Sequence, residues 1–443
     1  MNKHFLKSIR DNLPEPLKHI TSSAWRNKLI KNKEFCNYYK LLENREALSP
    51  EEINEYQLSQ LKKILIYSYQ NVPYYHGLFN NISFDPLKFS DVEQIKNIPF
   101  LTRELINNNF EKLLSIKKVK NGYYTGTTGG SSGLPLKILL DYDSTYKENA
   151  FIYYFRKKLD YSFEDKLATF RQIEFGNKLW KLNPMQNELI FSPIKLSKIT
   201  INNYANQINE FGPAYFNGYL STIWYFTRLL EEHQIKLKTK LKGIFLISEN
   251  IDNKQRNYIE QFFGVKSMTF YGHSERCVIA EEITPNRYKF DPYYGFTETI
   301  ELENNEYSIV GTGFLNYQMP LIRYKTDDTC SPDNQSYSID GKRISTIGLY
   351  GYNNEFLSSS AFDIEDPVFK NIITYQFVQK EPGKADMLII VNNDFKMSEM
   401  DIYKNEINSH TKGVIDIEIK IVKNLILSPR GKYQMYISKI EEK

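Results

Sequence analysis

Hydrophobic residues first fall at helical spacing in the N-terminal stretch. Leu58, Leu61, Ile64 and Leu65 share one face, with Lys62 and Lys63 on the other. Residues 1–70 are therefore expected to be helical. Asn71-Val72-Pro73-Tyr74-Tyr75 ends that stretch, because proline disfavours helix at the residue before it. Short helices are predicted over Asp91–Ile98 and Thr102–Asn109, the second capped by Thr102. Lys137-Ile138-Leu139-Leu140 has the pattern of a strand, and Tyr142–Lys158 that of a helix. Leu189-Ile190-Phe191, Gly243–Ile247 and Ser267–Tyr271 are strand-sized apolar runs. Helical stretches such as Thr222–His233 and Asn253–Phe262 lie between them. Strands alternating with helices predict an α/β architecture.

From about Pro292 the pattern changes. Thr297–Leu302 and Tyr307–Thr312 form a predicted hairpin, and the polar, turn-rich Ser331–Gly341 is expected to approach a domain boundary. The remainder predicts strands at Tyr375–Gln379, Met387–Val391, Ile417–Val422 and Tyr433–Ile440, with a helix at Ser398–Ser409. That is a small α+β domain. The expected organisation is a helical segment over 1–70 packed on a large domain over 71–340, and a small C-terminal domain over 341–443.

Composition narrows the function. The 57 Lys and Arg nearly balance the 53 Asp and Glu, and the net charge of +4 over 443 residues offers no basic stripe for nucleic acid. No run approaches the ~18 apolar residues of a membrane span. The charged first ten residues do not form a signal peptide, so a cytoplasmic protein is expected. Cys36, Cys277 and Cys330 are too few and too far apart for a disulfide framework, and with His273 they lack an evident fourth zinc ligand. The 33 tyrosines are scattered rather than periodic, which favours compositional bias over a stacking surface.

The sharpest chemical signal is Thr128-Gly129-Gly130-Ser131-Ser132-Gly133-Leu134-Pro135. Glycines let a backbone approach an anion with its N–H groups inward, and the hydroxyls add donors. The loop lacks both GxxxxGK and GxGxxG, so it is neither a Walker loop nor a dinucleotide fingerprint. Three further segments follow in order: Tyr271-Gly272-His273-Ser274-Glu275, Tyr324-Lys325-Thr326-Asp327-Asp328 and Gly431-Lys432. Together they resemble the motifs of the adenylate-forming superfamily. Asn71-Val72-Pro73-Tyr74-Tyr75, Ile98-Pro99-Phe100-Leu101-Thr102, Gly218-Tyr219-Leu220-Ser221 and Asn316–Tyr324 are similar to segments of its phenylacetate-CoA ligase and CapK-like branch.

The resemblance implies attack of a carboxylate on the α-phosphorus of ATP, giving an acyl-adenylate and pyrophosphate. It implies that Thr128, Gly129, Gly130, Ser131, Ser132 and Gly133 hold the β- and γ-phosphates. Tyr271, Gly272, His273 and Ser274 would line the nucleotide, with Ser248 and Glu249 in the adenine pocket. Asp328 would accept the ribose hydroxyls, Glu275 would hold magnesium, and Lys432 would bridge the carboxylate and the α-phosphate from a mobile small domain. Arg323 is a third catalytic candidate. Arg343 neighbours Gly341-Lys342, one of two alignments for a hinge whose usual arginine is missing; Gly348-Leu349 is the other. Asp327 stands where the pattern has glycine, a substitution that a left-handed backbone would tolerate in Asp. The implied partners are a small carboxylate and an acceptor: an amino sugar or sugar nucleotide in surface polysaccharide synthesis, or alternatively CoA. A catalytically degenerate nucleotide-binding relative is the competing class. Monomer and homodimer both remain open.

Overall fold

A computed structural model of the chain describes residues 26–45, 48–127, 136–171, 173, 175–302, 306–333, 336–340, 348–353, 356–358, 371–411, 413–427, 434–438 and 440. The chain divides into two compact units, one of residues 1–163 with 268–343 and the other of 164–267 with 344–443. The chain leaves the first unit after residue 163 and returns to it at Met268.

In the first unit, helix Pro50–Asn71 starts at a capping box in which the Ser49 and Glu52 side chains each accept the other's backbone N–H. Its predicted face is real: Leu61, Ile64 and Leu65 are fully buried. Each such side chain contributes about 1.5–3 kcal/mol of burial free energy. Pro73 ends this helix and also opens the next, Pro73–Asn81, where a first-turn proline has no N–H to waste. The Tyr75 hydroxyl donates to the Pro320 carbonyl at 3.1 Å and accepts from the Ile322 amide at 3.0 Å. The Asn-Val-Pro-Tyr-Tyr segment therefore clamps the chain just ahead of Arg323.

The sheet of this unit is antiparallel. Its order is Gly295–Glu301, Tyr307–Gly313, Tyr324–Asp333, Ser336–Asp340, Arg287–Phe290, Ile279–Thr284, Ser267–Gly272. The polar run Ser331–Gly341, expected to approach a domain boundary, supplies the end of strand Tyr324–Asp333 and strand Ser336–Asp340, paired from Thr329↔Asp340 to Asp333↔Ser336. Tyr337 and Ile339 alternate with Ser336 and Ser338 and pack on the core, too few apolar residues to betray the strand. A separate hairpin, Tyr123–Thr127 with Lys137–Asp141, frames the Gly/Ser/Thr loop, which itself lies outside the described residues. Asn316 anchors its return strand: its amide donates to the Leu139 carbonyl at 2.8 Å and its oxygen accepts from the Asp141 amide at 3.1 Å.

The second unit holds a sheet ordered Gly243–Leu246, Tyr215–Gly218, Leu167–Phe170, Glu188–Phe191, Trp180–Asn183, parallel except for the last strand. Gly218 ends its strand in a space only glycine fits, since a Cβ there would lie 2.6 Å from the Phe170 carbonyl oxygen. The C-terminal part is ordered Asp416–Ile421, Lys384–Val391, Ile372–Glu381, Tyr436–Ser438, with helix Glu399–Thr411, as the pattern predicts. Many tyrosines have a core role. Tyr75, Tyr204, Tyr215, Tyr293, Tyr294, Tyr324 and Tyr403 are almost completely buried. No helix among the described residues is long and apolar enough to cross a membrane.

Candidate active site

Glu275 reaches its position by a forced route. Strand Ser267–Gly272 ends in a turn closed by the Arg276 amide donating to the His273 carbonyl, with Arg276 at φ +57°. Arg276 is held there by Glu148 at 2.6 Å, the Ser144 hydroxyl at 2.8 Å and the Tyr124 hydroxyl at 2.8 Å. The next residues run close against the Gly295–Gly313 hairpin. A Cβ on Gly295 would lie 2.2 Å from the Cys277 oxygen, and one on Gly313 would lie 2.7 Å from the Arg276 oxygen. Those glycines admit the segment that fixes the carboxylate.

Glu275 is 7% exposed. One of its oxygens lies 3.2 Å from His273 Nδ1; the other accepts from the Tyr324 hydroxyl at 3.3 Å and lies 3.9 Å from Arg103. Burial alone would push this carboxyl up. His273 and the Arg103 guanidinium outweigh burial and hold it below its ordinary value. Burial raises the Tyr324 hydroxyl well above its ordinary value, so it remains a donor.

The neighbouring strand carries a bulge. Ser308 pairs with Thr329 and Val310 with Lys325, which sets three residues, Thr326 to Asp328, against one. Thr326 pins it: its hydroxyl donates to the Ile309 carbonyl at 2.8 Å and accepts from the Asp328 amide at 3.2 Å. Bulges re-aim side chains beside functional sites. Here the Tyr271 hydroxyl donates to Asp328 at 2.8 Å, and Asp327 meets Arg103 at 2.9 Å. Asp327 is not among the residues with positive φ, so its replacement of glycine answers no left-handed backbone.

No protein-family profile matches the chain. A search of solved structures gives 2-hydroxyisobutyryl-CoA ligase in the postadenylation state with R3-HIB-AMP, TM-score 0.66 at 13% identity, covering 90% of this chain and 92% of that one. The same ligase with 2-HIB-AMP and CoA in the thioesterification state gives a TM-score of 0.54, covering 89% and 91% at 13% identity. The chain shares the fold of this ligase. Among curated proteins it is similar to Protein CapK of Staphylococcus aureus, 24% identical over 414 residues, 87% of this chain and 89% of CapK.

Within this fold, Tyr271, Gly272, His273, Ser274, Glu275 and Asp328 come together in the first unit. Ser248, at φ +60°, and Glu249 lie in the second. The Glu249 carboxylate accepts the Ser221 amide at 3.0 Å and its hydroxyl at 2.8 Å, at the start of helix Leu220–Glu232. Residues 128–133, Arg343 and Lys432 lie outside the described residues.

Arg323, a catalytic candidate by sequence, is held by partners inside the protein. Its guanidinium grips both Glu298 oxygens at 2.9 and 2.7 Å, donates to the carbonyls of Lys96 and Ile98, and lies over the Phe100 ring. At 5% exposure it is committed to the protein itself. Its φ of +51° and the hydrogen bond its amide donates to the Thr312 hydroxyl fix the entry to strand Tyr324–Asp333. Arg323→Ala should cost about 3–5 kcal/mol, because Glu298 is left buried and unpaired. Urea unfolding checks this; an unchanged midpoint would make the pair dispensable.

Arg103 is the site residue that sequence reasoning missed. Its one signal in the sequence is its place directly after Ile98–Thr102. The site also suits magnesium. Among the described residues no three His, Cys, Asp or Glu side chains cluster as a metal site. Magnesium that keeps waters and substrate phosphates needs only one or two carboxylates, and an ionised, buried-edge carboxylate such as Glu275 is the right donor.

Proposed function

We propose that this chain is an ATP-dependent, AMP-forming ligase that activates a small carboxylic acid as its acyl-adenylate and passes the acyl group to an acceptor. One observation carries the reading: the segment Tyr271–Glu275 and the distant Asp328 are brought together, with the Tyr271 hydroxyl on Asp328 and Glu275 beside Tyr324 of the same strand. In this reading the Tyr271 ring lies against adenine, and Asp328 accepts the ribose hydroxyls once the nucleotide displaces the tyrosine hydroxyl. Glu275 would hold the magnesium that neutralises charge developing on the phosphates. Residues 128–133 would supply backbone and hydroxyl donors to the β- and γ-phosphates, and Ser248 and Glu249 would border the adenine. Lys432 would stabilise the charge on the attacking carboxylate and the α-phosphate.

The acceptor in this reading is an amine or hydroxyl of an amino sugar or sugar nucleotide, in cytoplasmic surface-polysaccharide synthesis. The similarity to CapK over 87% of the chain supports it. A second reading, thioester formation with CoA, is favoured by likeness to a CoA ligase. ATP–pyrophosphate exchange across a panel of carboxylic and amino acids tests the first half-reaction. Exchange with one acid class is expected; no exchange with any acid would sink the ligase reading. Adding CoA or an amino-sugar nucleotide to the exchanging pair then separates the acceptors.

A further inference from the structure

Three carboxylates border the nucleotide of the proposed function: Glu275 and Asp327, which share the Arg103 guanidinium, and Asp328, next to Asp327 in the chain. Two have neutral or mixed company: Asp328 accepts from the Tyr271 hydroxyl, and Glu275 has His273 and Tyr324. Asp327 is the departure from the adenylate-forming pattern, which has glycine there, so its charge is extra. A fixed anion beside a polyanion site repels the ligand unless a cation cancels it, and partial burial strengthens the repulsion by thinning the water that screens it.

The fold delivers that cation in register. Leu101 bridges to Tyr324 in parallel, its amide donating to the Arg323 carbonyl and its carbonyl accepting from the Lys325 amide, both at 2.9 Å. Thr102 then caps helix Arg103–Asn108 by accepting the Leu105 amide. Arg103, two residues beyond the bridge on one strand, thereby meets Asp327, three residues beyond it on the other. Their side chains are 21% and 37% exposed and 2.9 Å apart. The same guanidinium lies 3.9 Å from Glu275.

We propose that Arg103 is a positioning residue that neutralises Asp327, forming a pair with no net charge that lets this chain carry a carboxylate where the pattern has glycine and still admit a nucleotide polyphosphate. The identity of the ligand rests on the ligase reading above. The pair itself is tested by binding. Calorimetry with ATP, and separately with adenosine, is run on wild type, Arg103→Ala, Asp327→Asn and the double variant, with melting curves for each.

Arg103→Ala should weaken ATP by about tenfold and leave adenosine unchanged, because only the phosphates feel the bare carboxylate. Asp327→Asn should bind ATP at least as well as wild type. The double variant should return to within about threefold of wild type, a coupling that independent sites would not show. The proposal falls if the double variant binds ATP no better than Arg103→Ala, if Asp327→Asn weakens ATP, or if adenosine weakens as much as ATP. Should Arg103→Ala fail to fold, Asp327→Asn and Arg103→Gln carry the same comparison. A wild type that binds ATP yet exchanges with no acid overturns the ligase reading and leaves the pair legible in binding. A wild type that binds no ATP overturns both.

Discussion

Glu275→Ala is expected to lower ATP–pyrophosphate exchange by roughly 10²–10³-fold, the scale of losing one preorganised group aimed at developing phosphate charge. The variant should need more magnesium for the residual rate, since the single carboxylate donor is gone. Glu275→Gln keeps the shape and separates charge from packing. The two should be similarly impaired if the carboxylate acts as a hard ligand. The folded chain holds Glu275 below its ordinary value. A depressed carboxyl contributes stability above its unfolded value, and that contribution is lost as pH falls through its folded value. Wild type should therefore be more stable than Glu275→Gln near neutrality, with the gap closing on acidification below the usual carboxylate range. Urea midpoints at several pH values read the gap. Wild-type exchange by Glu275→Ala would remove this residue from the site.

What the sequence disclosed, and what it hid, follows from the range of each interaction. Local patterns were legible. The Leu61–Ile64–Leu65 face, the Thr102 cap, the hairpin at Gly295–Gly313 and the C-terminal strand–helix order all depend on neighbours a few residues apart. The motifs of the site were legible too, because glycine and carboxylate spacings are written in short words. The excursion of residues 164–267 into a second unit was not, since nothing in a strand's own residues says which sheet receives it. The bulge at Thr326–Asp328 was equally hidden: it exists only relative to Ile309 on the partner strand. Arg323 and Arg103 show the same limit in opposite directions. Arg323 sat inside a motif and looked catalytic, yet Glu298, 25 residues away, takes it into the core. Arg103 sat beside a motif and drew no notice until the Leu101–Tyr324 bridge set it against Asp327.

The other large effect is expected at Lys432, where Lys432→Ala should abolish measurable adenylation and leave ATP affinity within about threefold. The reasoning is one of timing. Carboxylate and α-phosphate are both anionic as they approach, and in the proposed function the ammonium would stabilise them together near the transition state. Ground-state binding draws mainly on adenine, ribose and the outer phosphates, whose proposed partners are Tyr271, Asp328 and the loop over 128–133. Lys432 itself lies outside the described residues, two residues before the described Gln434–Ser438 segment, whose strand Tyr436–Ser438 pairs with Phe377–Gln379. Single-turnover adenylation against calorimetric ATP affinity splits the two effects. Loss of both together would mean that Lys432 supports the nucleotide in the ground state, and an unimpaired rate would show that the Gly431-Lys432 match is accidental.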